Sequence, residues 1–161
     1  MFLAAWALDS TASAAFGSAL HGGLQLAAEG RCAEASVLLA PLPEPSARRA
    51  LGLCHLQLGD YSGAVAVLAK LAPNDPTLDV DLGVARFHAG DLAGAEQALA
   101  RASQRGDERP EVPLYLGLIA LQRAQPAVAA ASFDRARRSA PQSVEPAASY
   151  YAGIAHAEAG E

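Results

Sequence analysis

The sequence predicts an all-α domain built from stacked antiparallel helix pairs. Three observations carry this. Of 161 residues 39 are alanine, the strongest helix former, and few are β-branched, which argues against a sheet. A Leu-Gly pair recurs at Leu51-Gly52, Leu82-Gly83 and Leu116-Gly117, at spacings of 31 and 34 residues. Small residues then follow each pair at fixed distances, and a proline follows two of the three, as a repeated supersecondary unit requires. The length suits one domain with a real core. With 52% hydrophobic and 18% charged residues, disorder is excluded as the main state.

Taken in order, residues 1–15 form an apolar lead-in. Phe2, Leu3, Trp6 and Leu8 precede Asp9-Ser10-Thr11 and Ala12-Ser13-Ala14, which reads like a cleavage site. No positive charge stands ahead of the apolar run, as an export signal would want. The segment is therefore read as a helical lead-in that buries its large residues, with a signal remnant as the alternative. Correspondingly, cytoplasmic location is favoured over the periplasm or cell envelope.

Residues 16–161 form the repeat domain, in units of about 16–44, 45–75, 76–109 and 110–143 and a half unit 144–161. Eight or nine helices and no strand are expected. Seven residues past the repeat glycines come Gly59, Gly90 and Ala124, where the first helix ends and a left-handed turn is wanted. Asp60 and Asp91 then cap the second helix. Ala64, Ala95 and Ala129 stand twelve past the glycine, so that Gly52/Ala64, Gly83/Ala95 and Gly117/Ala129 allow close helix approach. Leu68, Leu99 and Phe133 stand sixteen past it. Prolines near Pro76 and Pro141 stop the second helix. A weaker copy runs through Gly23, Gly30, Ala35, Leu39 and Leu42, and a half copy through Ala152-Gly153 and Gly160.

Leu51-Gly52, Gly59-Asp60-Tyr61, Ala64, Leu68 and Pro76 together resemble the tetratricopeptide repeat family over roughly residues 16–161. Arg86 and Pro126 stand where that family usually has aromatics, and Gly22-Gly23 replaces Leu-Gly. The resemblance implies a right-handed superhelical solenoid whose first helices line a concave groove, and a scaffold that binds proteins without doing chemistry. It also implies a partner helix after Gly160-Glu161, so the chain is read as a fragment of a longer array or as one whose end a partner covers.

No catalytic, metal or cofactor constellation appears. His21, His55, His88 and His156 are far apart, and His55 and His156 are read as packing residues. Serines lack a companion base, and Gly22-Gly23 lacks the rest of a phosphate loop. A net charge of −5 offers no footprint for nucleic acid or an anionic membrane, and no uninterrupted apolar run spans a bilayer. Eleven arginines against one lysine are read as bacterial codon bias. Arg101, Arg105 and Arg109, with Arg135, Arg137 and Arg138, are read as a solvated face at helix C-termini, against contact with an anionic partner. Cys32 and Cys54 lie on adjacent helices by the family architecture and are expected as reduced, packed thiols.

The informative feature is a second stripe on the first helices. Stacking is assigned to Leu51, Cys54, Leu82, Ala85, Leu116 and Ile119. A different face carries Arg49, Leu53, Leu56 and Gln57, then Val80, Val84, Phe87 and His88, then Leu114, Leu118, Leu121 and Gln122, and lastly Tyr150 and Ile154. By the family geometry that face lines the groove. Its apolar character predicts a protein or peptide partner with an apolar face. The other occupants are Phe2 to Leu8 folding back, a second copy of the chain, or tighter superhelical packing that hides the stripe; self-association through the C-terminal helix is a separate expectation. The alternative function is a structural spacer in a longer repeat protein.

Overall fold

A computed structural model describes residues 3–139 and 145–160, with side-chain surroundings for 15–138 and 146–160. Among the described residues there are nine α-helices and no strand. The chain divides into two compact units, Met1–Pro73 and Asn74–Glu161. The first holds α1 (Leu3–Ala28), α2 (Cys32–Leu39), α3 (Pro45–Gln57) and α4 (Tyr61–Leu71). The second holds a single 3-10 turn (Pro76–Leu78), α5 (Asp79–His88), α6 (Leu92–Gln104), α7 (Glu111–Gln122), α8 (Pro126–Ser139) and α9 (Glu145–Ala159). Within each unit consecutive helices pack as pairs. Helix α1 passes through the 15/16 boundary without a break. The side chains of Phe2 to Leu8, on which the fold-back reading rests, lie outside the described residues.

One turn is used throughout. Seven residues past each repeat glycine the backbone is left-handed, at Gly30, Gly59, Gly90, Ala124 and Gly160. At the end of α3, Asp60 N donates to His55 O at 2.9 Å and Gly59 N donates to Leu56 O at 3.1 Å. This Schellman pairing satisfies carbonyls that the helix end would leave open. Asp60 then turns to the next helix, its Oδ1 accepting from Gly63 N at 2.9 Å. Asp91 does the same for α6, accepting from Gly94 N at 2.9 Å. The capping expected for both aspartates is present.

The close approach inside each pair is sharper than the sequence suggests. Ala64, Ala95 and Ala129 are fully buried, but the side chain against each glycine is the large one sixteen residues on. A Cβ at Gly52 would lie 2.5 Å from Leu68 Cδ2, at Gly83 2.6 Å from Leu99 Cγ, and at Gly117 2.7 Å from Phe133 Cε1. Gly23 repeats the arrangement, 2.6 Å from Leu39 Cδ2. The weak upstream copy is therefore a structural copy. Leu39, Leu68, Leu99 and Phe133 are each fully buried; every pair is a large residue set into a glycine notch.

Two expectations need correction. Cys32 and Cys54 are not reduced thiols: they form a disulfide, with Cα atoms 4.9 Å apart. The start of α2 meets the last turn of α3 so closely that the Cα separation falls well inside the range a bridge spans. Leu116, assigned to stacking, is only half-buried, whereas Leu51, Leu82 and Ile119 are buried as expected. In unit 2 the core runs through Val80, Ala95, Leu99, Val112 and Ile119, and then Ala130, Phe133, Ala152 and Ala155. Tyr151 of α9 stacks on Phe133, centroids 5.6 Å apart, while Tyr150 is 66% exposed.

Candidate interaction surfaces

The predicted groove residues separate into three groups. Arg49, Gln57, His88, Gln122 and Tyr150 are exposed. Leu53, Leu56, Val84, Phe87, Leu114, Leu118, Leu121 and Ile154 are half-buried. Val80 is corrected: it is 2% exposed and belongs to the core with Ala95, Leu99 and Ala102. It stands in the first turn of α5, where the end of α6 covers it, so it offers no surface.

In unit 1, Leu53 and Gln57 line a cleft of about 270 Å³ with Leu24, Ala27, Ala28 and Ala50, and the Cys32–Cys54 disulfide forms part of its wall. In unit 2, α5 and α7 touch. There Phe87 packs edge-on against Tyr115, centroids 5.1 Å apart, and against His88 at 5.4 Å. His88 Nε2 lies 3.0 Å from the Tyr115 hydroxyl. Tyr115 is not on the predicted stripe. The signal available is its place two residues before Gly117, one helical turn from Leu118 and Ile119.

The arginines do something other than solvate a helix end. Asp79 is 2% exposed, and Arg101 and Arg105 close on it. Arg101 Nη2 lies 2.7 Å from its Oδ1 and Arg105 Nη2 lies 2.6 Å from its Oδ2. Burial alone would push this carboxyl up, but the hydrogen bonds and charges of the two guanidiniums outweigh it and hold it below the usual range. Arg105 also donates to Pro76 O at 2.7 Å and Arg109 to Thr77 O at 2.9 Å. Arg109 pairs with Asp107 at 2.9 Å and with Asp81 at 3.5 Å, and its hydrogen bond holds Asp107 low against burial. These three arginines are a clasp that fixes the 3-10 turn and the start of α5 to the end of α6. Beside the turns, His55 Nδ1 lies 2.7 Å from Asp60 Oδ2, and Arg86, in the equivalent place, donates to Gly94 O at 3.1 Å.

Among the described residues no group of three or more His, Cys, Asp or Glu could hold a metal, and no helix is long and apolar enough to cross a membrane.

Two family models, each described as tetratricopeptide repeat, match the chain, one over residues 55–121 and the other over residues 2–79 and 114–161. The chain is 40% identical over 95 residues to TPR repeat-containing protein PA4299 of Pseudomonas aeruginosa, a match covering 56% of this chain and 38% of that protein. It is 39% identical over 85 residues to TPR repeat-containing protein PA0015 of the same organism, covering 48% of this chain and 81% of that one. Among solved structures, MamA of AMB-1 superposes with a TM-score of 0.76 at 18% identity, covering 90% of this chain and 82% of MamA. TTC0263, a thermophilic TPR protein of Thermus thermophilus, superposes with a TM-score of 0.63 at 21% identity, covering 90% and 83%. At these identities the two structures show the fold alone. That fold supports a protein–protein interaction scaffold, and its bearers are typically not enzymes. The chain belongs to the tetratricopeptide repeat family.

Proposed function

We propose that the apolar side of α5 and α7 in unit 2 receives the apolar face of a helix from a partner protein. The observation that carries this reading is the half-buried row Val84, Phe87, Leu118 and Leu121, with Phe87 braced edge-on against Tyr115. Spacings of three along each helix keep the row on one side. A partner helix meets such a row with residues of its own spaced by three and four. The exposed His88 and Gln122 supply a polar rim of the kind interfaces carry.

The test measures capture and affinity of the partner with the wild-type chain, with Phe87→Ala, and with Val84 and Leu118 changed together. Truncating a central aromatic anchor should weaken binding by about 2 kcal/mol, and added salt should matter little because the contact is apolar. Circular dichroism and thermal melting report the fold in parallel. Unchanged binding by a folded Phe87→Ala chain overturns the reading. So does unfolding of Phe87→Ala with no partner captured by wild type, since the row is then core.

A further inference from the structure

We infer that unit 1 carries a second, separate contact site, a small pocket between Arg48 and Lys70 that takes an acidic side chain next to an apolar one from a partner polypeptide. The pocket has a volume of about 240 Å³ and is lined by Arg48 at the start of α3 and by Ala66, Val67, Lys70 and Leu71 of α4. Its floor is apolar, with Val67 and Leu71 half-buried. Its two polar walls are both cations.

Those cations are unusual in this chain. The net charge is −5, and carboxylates are plentiful enough that Arg31, Arg101, Arg105, Arg109 and Arg123 each hold one. Among the described residues neither Arg48 nor Lys70 makes an ion pair. Lys70 has a local rationale, since it lies in the last turn of α4, where a cation suits the helix end. Arg48 stands four residues after Glu44, the N-cap of α3, but makes no ion pair with it, so its guanidinium is left to line the pocket.

The chemistry of the walls selects the ligand. A guanidinium offers a planar fork and an ammonium a compact charge, and both hold anionic oxygens such as those of a carboxylate. The volume is below the roughly 300–1,000 Å³ of drug-sized sites, so it suits one or two side chains. An acidic residue beside a leucine-like one fits the cationic walls and the apolar floor together. The larger cleft of about 660 Å³ in unit 2 is lined by Asp107 and Glu108 as well as Arg135 and Arg138, and that mixture selects no single charge. The pocket lies in the other unit from the α5–α7 face, so loss of either site leaves the other testable.

The experiment titrates the isotope-labelled full chain with acetyl-Glu-Leu-amide and follows backbone amide shifts. Saturable shifts confined to the neighbourhood of Arg48, Val67 and Lys70 are expected. Weakening of about tenfold should follow from Lys70→Gln, from Arg48→Gln, or from glutamine in place of the peptide's glutamate, as for loss of a charge-assisted contact. Arg48→Lys should bind more tightly than Arg48→Gln. Lys70 is exposed, so Lys70→Gln keeps the test valid if the Arg48 variant unfolds. No saturable shift, equal binding of the glutamine peptide, or equal shifts with inorganic phosphate alone would each overturn the proposal, the last by showing a bare anion site.

Discussion

Leu99 lies in the notch left by Gly83: a Cβ added there would come within 2.6 Å of Leu99 Cγ. The atom it meets is the branch point of a fully buried side chain, not a flexible tip. Gly83→Ala should therefore overpack the α5–α6 pair and destabilise the chain by about 1–3 kcal/mol. Thermal denaturation reads this directly. Shaving the opposing residue in the same background should return part of the loss, and an unchanged melting temperature in Gly83→Ala would mean the notch is not closed.

Ala124 is the one turn position in the series that is not glycine, and it sits at φ 55. A left-handed L-residue costs about 1–2 kcal/mol; glycine avoids that cost but loses roughly 0.5–1 kcal/mol more backbone entropy than alanine on folding. Ala124→Gly should stabilise the chain by about 0.5–1 kcal/mol, measured by denaturant midpoint.

The Asp79 clasp should respond asymmetrically. Asp79 is 3% exposed at its side chain, but Arg101 and Arg105 are 45% and 40% exposed. Removing both guanidiniums strands a buried carboxylate and should cost about 3–5 kcal/mol. Replacing Asp79 by alanine frees two arginines that can return to water, and should cost less. Chemical denaturation of the two variants decides the order.

The same clasp sets an acid limit. The carboxyls of Asp79 and Asp107 are held below their ordinary value in the fold. Their contribution is therefore complete above the unfolded carboxyl pKa of about 3.9, and is lost as pH falls through the lower folded values. The stability gap between wild type and Asp79→Asn should be constant near neutrality and narrow below about pH 4.

Reduction of the Cys32–Cys54 bridge, whose partners are 22 residues apart, should lower the stability of unit 1 by about 3 kcal/mol. Melting with and without reductant, against Cys32→Ala/Cys54→Ala as the variant that cannot respond, gives the number.

The repeat is legible because it is written in absolute spacings: glycine, turn, capping aspartate and buried large residue recur at fixed offsets, and Leu39, Leu68, Leu99 and Phe133 all lie in the core. Asp79 is not legible, since nothing local distinguishes it from Asp81. Its meaning comes from arginines more than twenty residues on, brought back by the α5–α6 turn. The cysteines can be placed as neighbours from the helix order, but a bond depends on a few ångströms of axial offset that spacing does not fix. Val80 is misplaced when facing is extrapolated by angle alone, because at the start of a helix the neighbouring turn decides what is covered. Tyr115 escapes a stripe drawn from apolar spacing, whereas its ring joins Phe87 and His88 from the adjacent helix.

The bridge also changes what a cut or a pull can do to the molecule. Residues 32–54 form a covalently closed loop that contains Arg48 and Arg49. A trypsin-like cleavage after either arginine would leave both pieces attached, so the nick shows on a gel only after reduction. Drawn out by force, the oxidised chain keeps back roughly 70–80 Å of contour, the reach of that many extended residues, and α2 stays tethered to α3 after every other contact between them has let go.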